Sequence, residues 1–344
     1  MPEAKAHYPF LTRLMIDLFD AGELPSVESL DIEMDFGYVG RILYKNGAVR
    51  YFKGSNLNVN RHANAEIALD KGYTKYFLQQ FGYETPRGKT FLTPLFFKRR
   101  KTRLLDSDAP VNTLKDIPDY VENALGYPCY IKPNQGSQGY DVLRANDRAT
   151  LDEALLRFEN AEYEVVLVEA AVQLPEYRIV VYQDEVICCY GRYPLVVVGD
   201  GTATIRDLLD ATEALYTQVG RPPAIDSNDP RISNTLRRQG YTLESILPKN
   251  HSAQIYNSAN LSIGGTARDF TDRLHPQWKQ FVIDLVQKFN LTVCGVDFCC
   301  ADITEADAAY SILELNGTPT LSGYATLGKA EYQRVRNFYR RILV

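Results

Sequence analysis

The chain has 344 residues, enough for two or three domains, and its 45% hydrophobic and 24% charged residues are typical of a globular protein. A net charge of -5 argues against a nucleic-acid partner, because phosphate contacts need a concentrated basic face. The N-terminus opens no apolar signal region, and no stretch is long enough to span a bilayer. The six cysteines lie in apolar runs without metal or redox spacing. We therefore expect a cytoplasmic protein with buried thiols and no membrane contact.

Hydrophobic periodicity predicts the elements along the chain. An Asn-Gly pair at 46–47 predicts a hairpin between the first two strands. Helices and strands alternate irregularly, which favours an α+β or α/β fold with more than one sheet. The predicted helices are 8–21, 63–81, 114–125, 151–158, 205–219, 278–289 and a last one from 329. The predicted strands are 38–44, 48–52, 129–132, 165–169, 177–182, 186–190, 294–301 and 310–315.

A glycine-rich loop at 134–139 follows the strand that ends at Lys132. Glycines let backbone N–H groups approach phosphate oxygens closely, and a lysine adds positive charge. This pattern alone also fits an ordinary turn. A second segment, 82–90, resembles a P-loop, but five residues separate its glycines instead of four, and Pro86 lacks an N–H donor. We interpret that segment as a helix stop followed by a turn.

Two apolar strands near the C-terminus carry acidic residues. Asp297 lies between Val296 and Phe298, and Glu314 and Asn316 are two positions apart, so they share one strand face. A buried carboxylate is costly unless a cation compensates it, and Mg²⁺ prefers oxygen ligands. These three residues predict a magnesium site, with a structural ion pair as the alternative.

The order of motifs resembles the ATP-grasp superfamily, and more closely the ATP-grasp part of cyanophycin synthetases. The resemblance covers roughly residues 65–330. The motifs that carry it are Asp70-Lys71-Gly72-Tyr73-Thr74-Lys75, Gly126-Tyr127-Pro128 with Ile131-Lys132-Pro133, Val168-Glu169, Glu176-Tyr177-Arg178, Val197-Val198-Gly199-Asp200-Gly201, Asn260-Leu261-Ser262-Ile263-Gly264-Gly265-Thr266-Ala267, Gly295-Val296-Asp297 and Glu314-Leu315-Asn316-Gly317-Thr318-Pro319.

The resemblance implies an ATP-grasp fold in which two α+β lobes clamp ATP, preceded by a small N-terminal domain. The expected boundaries are 1–65, 66–167 with the glycine-rich loop, and 168–344 with the metal site. Two residues depart from the family pattern: Ile263 replaces a threonine, and Arg268 stands at a usually apolar position. Cyanophycin synthetases continue into a Mur-ligase-like domain that this sequence lacks, so cyanophycin is not the expected product.

The resemblance also implies roles for individual residues. Asp297, Glu314 and Asn316 would hold one or two Mg²⁺ ions, with Mn²⁺ as a substitute. Arg178 and Arg192 would bind the carboxylate and stabilise an acyl phosphate. Backbone N–H groups of Gly264, Gly265 and Thr266 would bind a substrate carboxylate or the developing oxyanion, whereas without the resemblance a tight turn that needs two glycines is the preferred interpretation. The residues expected to bind ATP are Lys71, Lys132, Gln135, Gly136, Ser137, Gly139, Glu169, Ala171 and Glu176.

The implied activity is that of an ATP-dependent carboxylate–amine ligase. It would join small amino-acid-like substrates through an acyl phosphate and release ADP and phosphate. Two alternatives use the same fold: a nucleotide-binding regulatory protein and a kinase that transfers the phosphoryl group without forming an amide. A homodimer is expected, because relatives in this superfamily often pair. The sequence names neither the acid nor the amine.

Overall fold

The computed structural model describes residues 7–99, 111–136, 139–218 and 225–344. The α-helices are α1 (Phe10–Asp20), α2 (His62–Leu69), α3 (Lys71–Gln80), α4 (Pro94–Arg99), α5 (Ile117–Tyr120), α6 (Arg148–Glu159), α7 (Ile205–Gln218), α8 (Pro230–Arg238), α9 (Pro276–Lys288), α10 (Ser322–Ala325) and α11 (Lys329–Ile342). The strands are β1 (Val27–Ile32), β2 (Val39–Tyr44), β3 (Val49–Lys53), β4 (Gly88–Leu92), β5 (Cys129–Pro133), β6 (Leu143–Ala145), β7 (Val165–Ala170), β8 (Glu176–Tyr182), β9 (Glu185–Tyr193), β10 (Val196–Val198), β11 (Ser252–Gln254), β12 (Thr266–Asp269), β13 (Val293–Cys300) and β14 (Tyr310–Asn316).

The helix predicted over 63–81 is two helices in the structure. Asp70 separates them, because its carboxylate accepts the backbone N–H of Tyr73 at 2.9 Å and caps the start of α3. Gly82, with φ +78°, follows the end of α3, as the helix-stop interpretation predicts. The turn then leads into β4, which the sequence patterns did not predict.

The chain divides into two compact units. The first contains residues 1–62, 176–295 and 317–344, and the second contains residues 63–175 and 296–316. Strand β13 passes from the first unit into the second between Gly295 and Val296.

The first unit contains antiparallel sheets. One has the strand order β1-β2-β3, and in another β9 lies between β8 and β12. Strands β10 and β11 form a small antiparallel pair. In its main core, an apolar stripe of α1 joins buried residues of α11 and of the strands. That core includes Leu11, Leu14, Met15, Leu18, Ile42, Cys188, Tyr190, Phe338 and Tyr339.

The second unit contains an antiparallel sheet of order β4-β7-β5-β6. Its register places Tyr130 opposite Glu169, and Lys132 opposite Leu167. One face of this sheet packs against α5, α6 and the neighbouring helical turns, and the shared core includes Phe91, Ile117, Cys129, Ile131, Leu151, Phe158, Val166 and Val168. Strands β13 and β14 are neighbours in a sheet, and β13 is buried along its whole length.

All six cysteines are buried and none forms a disulfide, which confirms that part of the sequence prediction. Burial raises the pKa of the Cys129 and Cys300 thiols to about 11, so both are neutral at physiological pH. Among the helices that the structure describes, none is long and apolar enough to cross a membrane.

Candidate active site

A buried group of charges lies where β5 and β7 run side by side in the second unit. The Nζ atom of Lys132 contacts Glu169 Oε1, and Lys75 Nζ lies 3.3 Å from Glu169 Oε2. Lys75 also donates to Thr85 Oγ1 at 3.2 Å and to the carbonyl of Pro86. A buried charge requires partners of opposite sign, and Glu169 supplies one to each of the two lysines.

The pKa shifts show which charges meet at Lys132. Burial alone would lower the pKa of its ammonium, but the carboxylates of Glu169, Glu314 and Asp297 outweigh burial and raise it. Burial would likewise raise the pKa of Glu169, but the charges of Lys132 and Lys75 lower it below its ordinary value. Three acidic side chains from β7, β13 and β14 therefore act on one lysine.

The start of α3 places Lys71 between the glycine-rich loop and β14. Its Nζ atom lies 3.3 Å from Glu314 Oε2 and donates to the carbonyl of Gly136 at 3.2 Å. Lys71 thus contacts one residue of the predicted phosphate loop and one of the predicted metal ligands.

Asn134, the first residue of that loop, ties it to the start of α3. Its Oδ1 atom accepts the N–H of Gly72 at 2.8 Å, and its Nδ2 atom donates to Asp70 Oδ2 at 2.6 Å. The backbone N–H of Lys71 donates to the Asn134 carbonyl at 3.1 Å. The predicted phosphate loop included Asn134 without an individual role, and Lys75 was not predicted as a site residue. The signal for Lys75 was its place at the end of the Asp-Lys-x-x-Thr-Lys motif, and the signal for Asn134 was its place as the polar residue that opens the loop.

Asp297, Glu314 and Asn316 are the residues predicted to hold a magnesium ion. All three donors are oxygens, and Asp297 is deeply buried at 5% exposure. Across 7–99, 111–136, 139–218 and 225–344, no group of three or more His, Cys, Asp or Glu side chains is arranged to hold a metal. Two carboxylates and one amide fit Mg²⁺, since this ion usually takes its remaining ligands from phosphates and water.

Three other described residues of the predicted nucleotide set lie in the loop or directly after β7. Gln135 is exposed, and its Nε2 atom donates to Asp70 Oδ2 at 3.3 Å. Gly139 adopts φ +68°, a conformation that favours glycine. The N–H of Ala171 donates to the Pro128 carbonyl at 3.1 Å, so this donor is already engaged. Ser137 lies outside the described residues.

In the first unit, one sheet face carries both predicted arginines. Glu176 is opposite Arg192 across β8 and β9, and Arg178 is opposite Tyr190, so all four side chains leave the same face. Arg192 Nη1 donates to Glu176 Oε1 at 3.0 Å, and both arginines are buried. Burial raises the pKa of Tyr190, while the nearby charges of Arg192 and Arg178 partly oppose this rise. Tyr190 is a member of this face that the sequence patterns did not reveal.

A hydrogen-bonded group lies beside this face. The ring of Tyr324 stacks on that of Tyr190 with centroids 5.1 Å apart. Its hydroxyl donates to Asp269 Oδ1 at 3.1 Å and accepts from Arg334 Nη1 at 2.8 Å. Arg334 also donates to Asp269 Oδ2 at 3.2 Å. These bonds fix the hydroxyl of Tyr324, whose ring stacks on Tyr190.

The glycine pair at 264–265 forms a tight loop before β12. Gly264 has φ +92°, and a Cβ atom on Gly265 would lie 2.7 Å from the carbonyls of Ala259 and Asn260. The N–H of Gly265 donates to the Asn260 carbonyl at 3.1 Å, and Thr266 pairs with Tyr193 of β9. The Gly265 donor is therefore engaged within the loop in this structure.

Comparison with known proteins gives the chain its relatives. No family model matches it. The cyanophycin synthetase of Synechocystis sp. is 28% identical over an alignment of 342 residues that covers 90% of this chain and 36% of that protein. The cyanophycin synthetase of Trichormus variabilis is 30% identical over 266 residues, 74% of this chain and 26% of that protein. A bifunctional glutathione biosynthesis protein of Streptococcus mutans is 27% identical over 290 residues, 81% of this chain and 36% of that protein. The chain is a homologue of ATP-grasp ligases.

The solved structures support the same fold. The bifunctional glutathione synthetase of Pasteurella multocida superposes with a TM-score of 0.60 at 22% identity, covering 98% of this chain and 43% of that one. The predicted α+β ATP-grasp fold is thereby confirmed. The chain spans about a third of the length of the curated relatives it matches, or less.

Most residues of the predicted nucleotide and metal sites lie in the second unit. Lys71, Lys132 and Glu169 lie there with Asp297 and Glu314, connected by the ion pairs and pKa shifts given above. The first unit contains Glu176 of the predicted ATP-binding set and the predicted substrate residues Arg178, Arg192, Gly265 and Thr266.

Proposed function

We propose that this chain is an ATP-dependent carboxylate–amine ligase that forms an amide bond between small amino-acid-like substrates. The observation that carries the proposal is the set of charges around Lys132: Glu169, Glu314 and Asp297 act on its ammonium, and Lys71 contacts Glu314. Phosphoryl transfer depends mainly on positioning and on neutralising charge, and this set offers both cations and metal-binding oxygens in one place.

On this proposal, Lys71 and Lys132 bind the phosphates of ATP, with the backbone of Gln135, Gly136, Ser137 and Gly139 closing over them. Asp297, Glu314 and Asn316 hold one or two Mg²⁺ ions, or Mn²⁺ in their place, which neutralise phosphate charge when bound. Closure of the loop excludes water, which protects an acyl phosphate from hydrolysis. Glu169 pairs with Lys132, and Glu169, Ala171 and Glu176 are the remaining residues proposed to bind ATP.

The substrate side of the proposal rests on the sheet face of β8 and β9. Arg178 and Arg192 match the planar oxygens of a carboxylate and the oxygens of a phosphoryl group. The carboxylate oxygen attacks the γ-phosphorus and ADP leaves. The amine nitrogen then attacks the acyl carbon, phosphate leaves, and the nitrogen loses a proton to the medium. Backbone N–H groups of Gly265 and Thr266 would face the acyl oxygen once the 264–266 loop is rearranged by substrate.

A panel assay tests the reaction. The protein is incubated with Mg-ATP and pairs of amino acids, while ADP, free phosphate and the mass of coupled products are followed. Release of ADP and phosphate that needs both an acid and an amine supports the ligase. A stable phosphorylated product without free phosphate would favour a kinase, and tight ATP binding without turnover would favour a regulatory protein.

A matched pair of variants tests the metal assignment in the same assay. Glu314→Ala should lower turnover by about a hundredfold or more, because several kcal/mol of charge stabilisation depend on a bound metal. Glu305→Gln changes an exposed acid in the connection between β13 and β14 and should retain full activity. Undiminished activity of Glu314→Ala, with an unchanged circular dichroism spectrum, would contradict the assignment.

Location and assembly complete the proposal. Six buried thiols without disulfides are typical of a reducing compartment, which supports a cytoplasmic protein. We also propose a homodimer, which sedimentation equilibrium at several concentrations would test. A single species of 39.0 kDa would contradict it.

A further inference from the structure

Asn60 forms hydrogen bonds with two chain segments that lie far from it in sequence. Its Oδ1 atom accepts the N–H groups of Thr292 at 2.7 Å and Val293 at 3.1 Å. Its Nδ2 atom donates to the carbonyl of Val293 at 2.8 Å and to that of Gly317 at 2.6 Å. All of these residues belong to the first unit. One amide thus uses both of its donors and its acceptor on backbone groups.

The two segments are the beginning of one strand and the end of another. Val293 is the first residue of β13, and Gly317 follows directly after β14. The strands are joined by residues 301–309, and the N–H of Ala301 donates to the Ala309 carbonyl at 2.9 Å. Such a short connection makes the pair antiparallel. The connection closes one end of the hairpin, and the Asn60 amide closes the other.

These same strands carry the proposed metal ligands. Asp297 is four residues after Val293 in β13, and Asn316 immediately precedes Gly317. A strand end without pairing partners frays, which would let the last residue of β14 move relative to β13. Metal ligands have to be held within a few tenths of an ångström, so the residues that orient them strongly affect affinity.

We propose that Asn60 is a positioning residue that holds the ends of β13 and β14 together and thereby sets the geometry of Asp297, Glu314 and Asn316 for Mg²⁺. The inference rests on the proposed function, because it assigns to the first sixty residues a role in the metal site of that function. Asn60 contacts backbone groups only and touches no reacting atom. Ser55 adds one bond nearby, from its Oγ atom to the Thr318 carbonyl at 2.9 Å.

The test measures nucleotide affinity with and without metal, which needs no turnover. Binding of the non-hydrolysable analogue AMPPNP is titrated by calorimetry in excess Mg²⁺ and in EDTA. In Asn60→Ala, the gain in affinity that Mg²⁺ brings should fall by about tenfold, while the affinity in EDTA stays within about twofold of wild type. In Asn60→Asp, the Mg²⁺-dependent gain in AMPPNP affinity should fall similarly, because the carboxylate would face the carbonyl oxygens of Val293 and Gly317 and repel them.

Asn56→Ala is the matched control. Asn56 lies in the same segment, is exposed, and accepts only the local N–H of Asn58 at 2.8 Å in the contacts that the structure gives its side chain. It should keep the full Mg²⁺-dependent gain. Hydrogen exchange then reports directly on the hydrogen bonds to Asn60. The amides of Thr292 and Val293 should exchange faster in Asn60→Ala than in wild type or in Asn56→Ala.

The outcomes separate the inference from the function on which it rests. A wild-type protein whose AMPPNP affinity does not respond to Mg²⁺ contradicts the proposed function and this inference with it. A wild type that responds, together with an Asn60→Ala variant that keeps the full gain, contradicts only the role of Asn60. Equal losses with and without Mg²⁺ would also overturn that role. If Asn60→Ala does not fold, Asn60→Ser, which keeps a small polar group, is judged by the same criteria.

Discussion

Glu169 pairs with Lys132 diagonally across β5 and β7, and the other oxygen of its carboxylate lies 3.3 Å from Lys75. The three side chains are buried, so neither lysine has water as a substitute for the carboxylate. A carboxylate shared by two buried ammonium groups lowers the cost of burying them before any nucleotide binds. It also fixes the position of Lys132, which we propose as a phosphate ligand.

The first prediction concerns the stability that this carboxylate provides. Glu169→Gln should lower the free energy of unfolding by roughly 3–5 kcal/mol, because it leaves buried charges without compensation. Chemical denaturation at neutral pH measures the difference. The matched control is Asp152→Asn, which removes an exposed ion pair with Arg148 and should leave the midpoint unchanged. A midpoint shift in Glu169→Gln no larger than that of the control would refute the prediction.

The second prediction concerns the response of that stability to acid. The folded protein lowers the pKa of Glu169 below its ordinary value of 4.5, so folding favours the ionised form. The contribution of Glu169 is therefore complete above pH 4.5 and is lost as the pH falls through the lower folded pKa. The wild-type unfolding free energy should drop more steeply below pH 4.5 than that of Glu169→Gln. Parallel pH profiles for the two proteins would show that Glu169 is not the group responsible.

The third prediction concerns the close approach of α3 to β4. A Cβ atom on Gly72 would lie 2.7 Å from Cγ2 of Thr90, so Gly72→Ala should destabilise the protein by about 1–3 kcal/mol through overpacking. Thr90→Ser removes that methyl group, and the double variant should recover part of the loss. The measurement is a thermal unfolding series on the wild type, both single variants and the double variant. Strict additivity of the two substitutions would contradict the proposed contact.

Local patterns in the sequence were enough to predict the long elements and the order of the motifs. Amphipathic helices such as α1, α9 and α11 were predicted within a few residues, because their apolar positions recur at helical spacing. Strands β1 and β4 were missed, and so were β6, β10, β11 and β12, whose three or four residues are too few to show a period. The break at Asp70 was missed because the apolar pattern continues across it.

Side-chain partners between distant segments were the part that local patterns could not supply. Glu169 was predicted to bind ATP from the order of motifs, whereas its pairing with Lys132 follows from the register of β5 against β7, and its pairing with Lys75 from the packing of α3. The contacts of Asn60 join positions more than 230 residues apart. Such contacts depend on tertiary packing, which a residue's neighbours in sequence do not encode.

The last prediction concerns the position of Arg178 within the first unit. Its Nη1 atom would lie only 2.5 Å from a Cβ atom placed on Gly295 of β13, so the guanidinium occupies the space that a side chain there would need. Gly295→Ala should displace the guanidinium while leaving the β8 and β9 backbone in place. Because a displaced guanidinium no longer meets the carboxylate in a planar geometry, kcat/KM for the acid substrate should fall by about tenfold or more, with a smaller change in KM for ATP.

Steady-state kinetics on both substrates measures this difference between the acid and ATP. Arg178→Lys keeps the charge and loses the planar fork, so it should show the same split. Equal effects on acid and ATP in both variants would indicate that Arg178 supports the fold and does not bind the carboxylate.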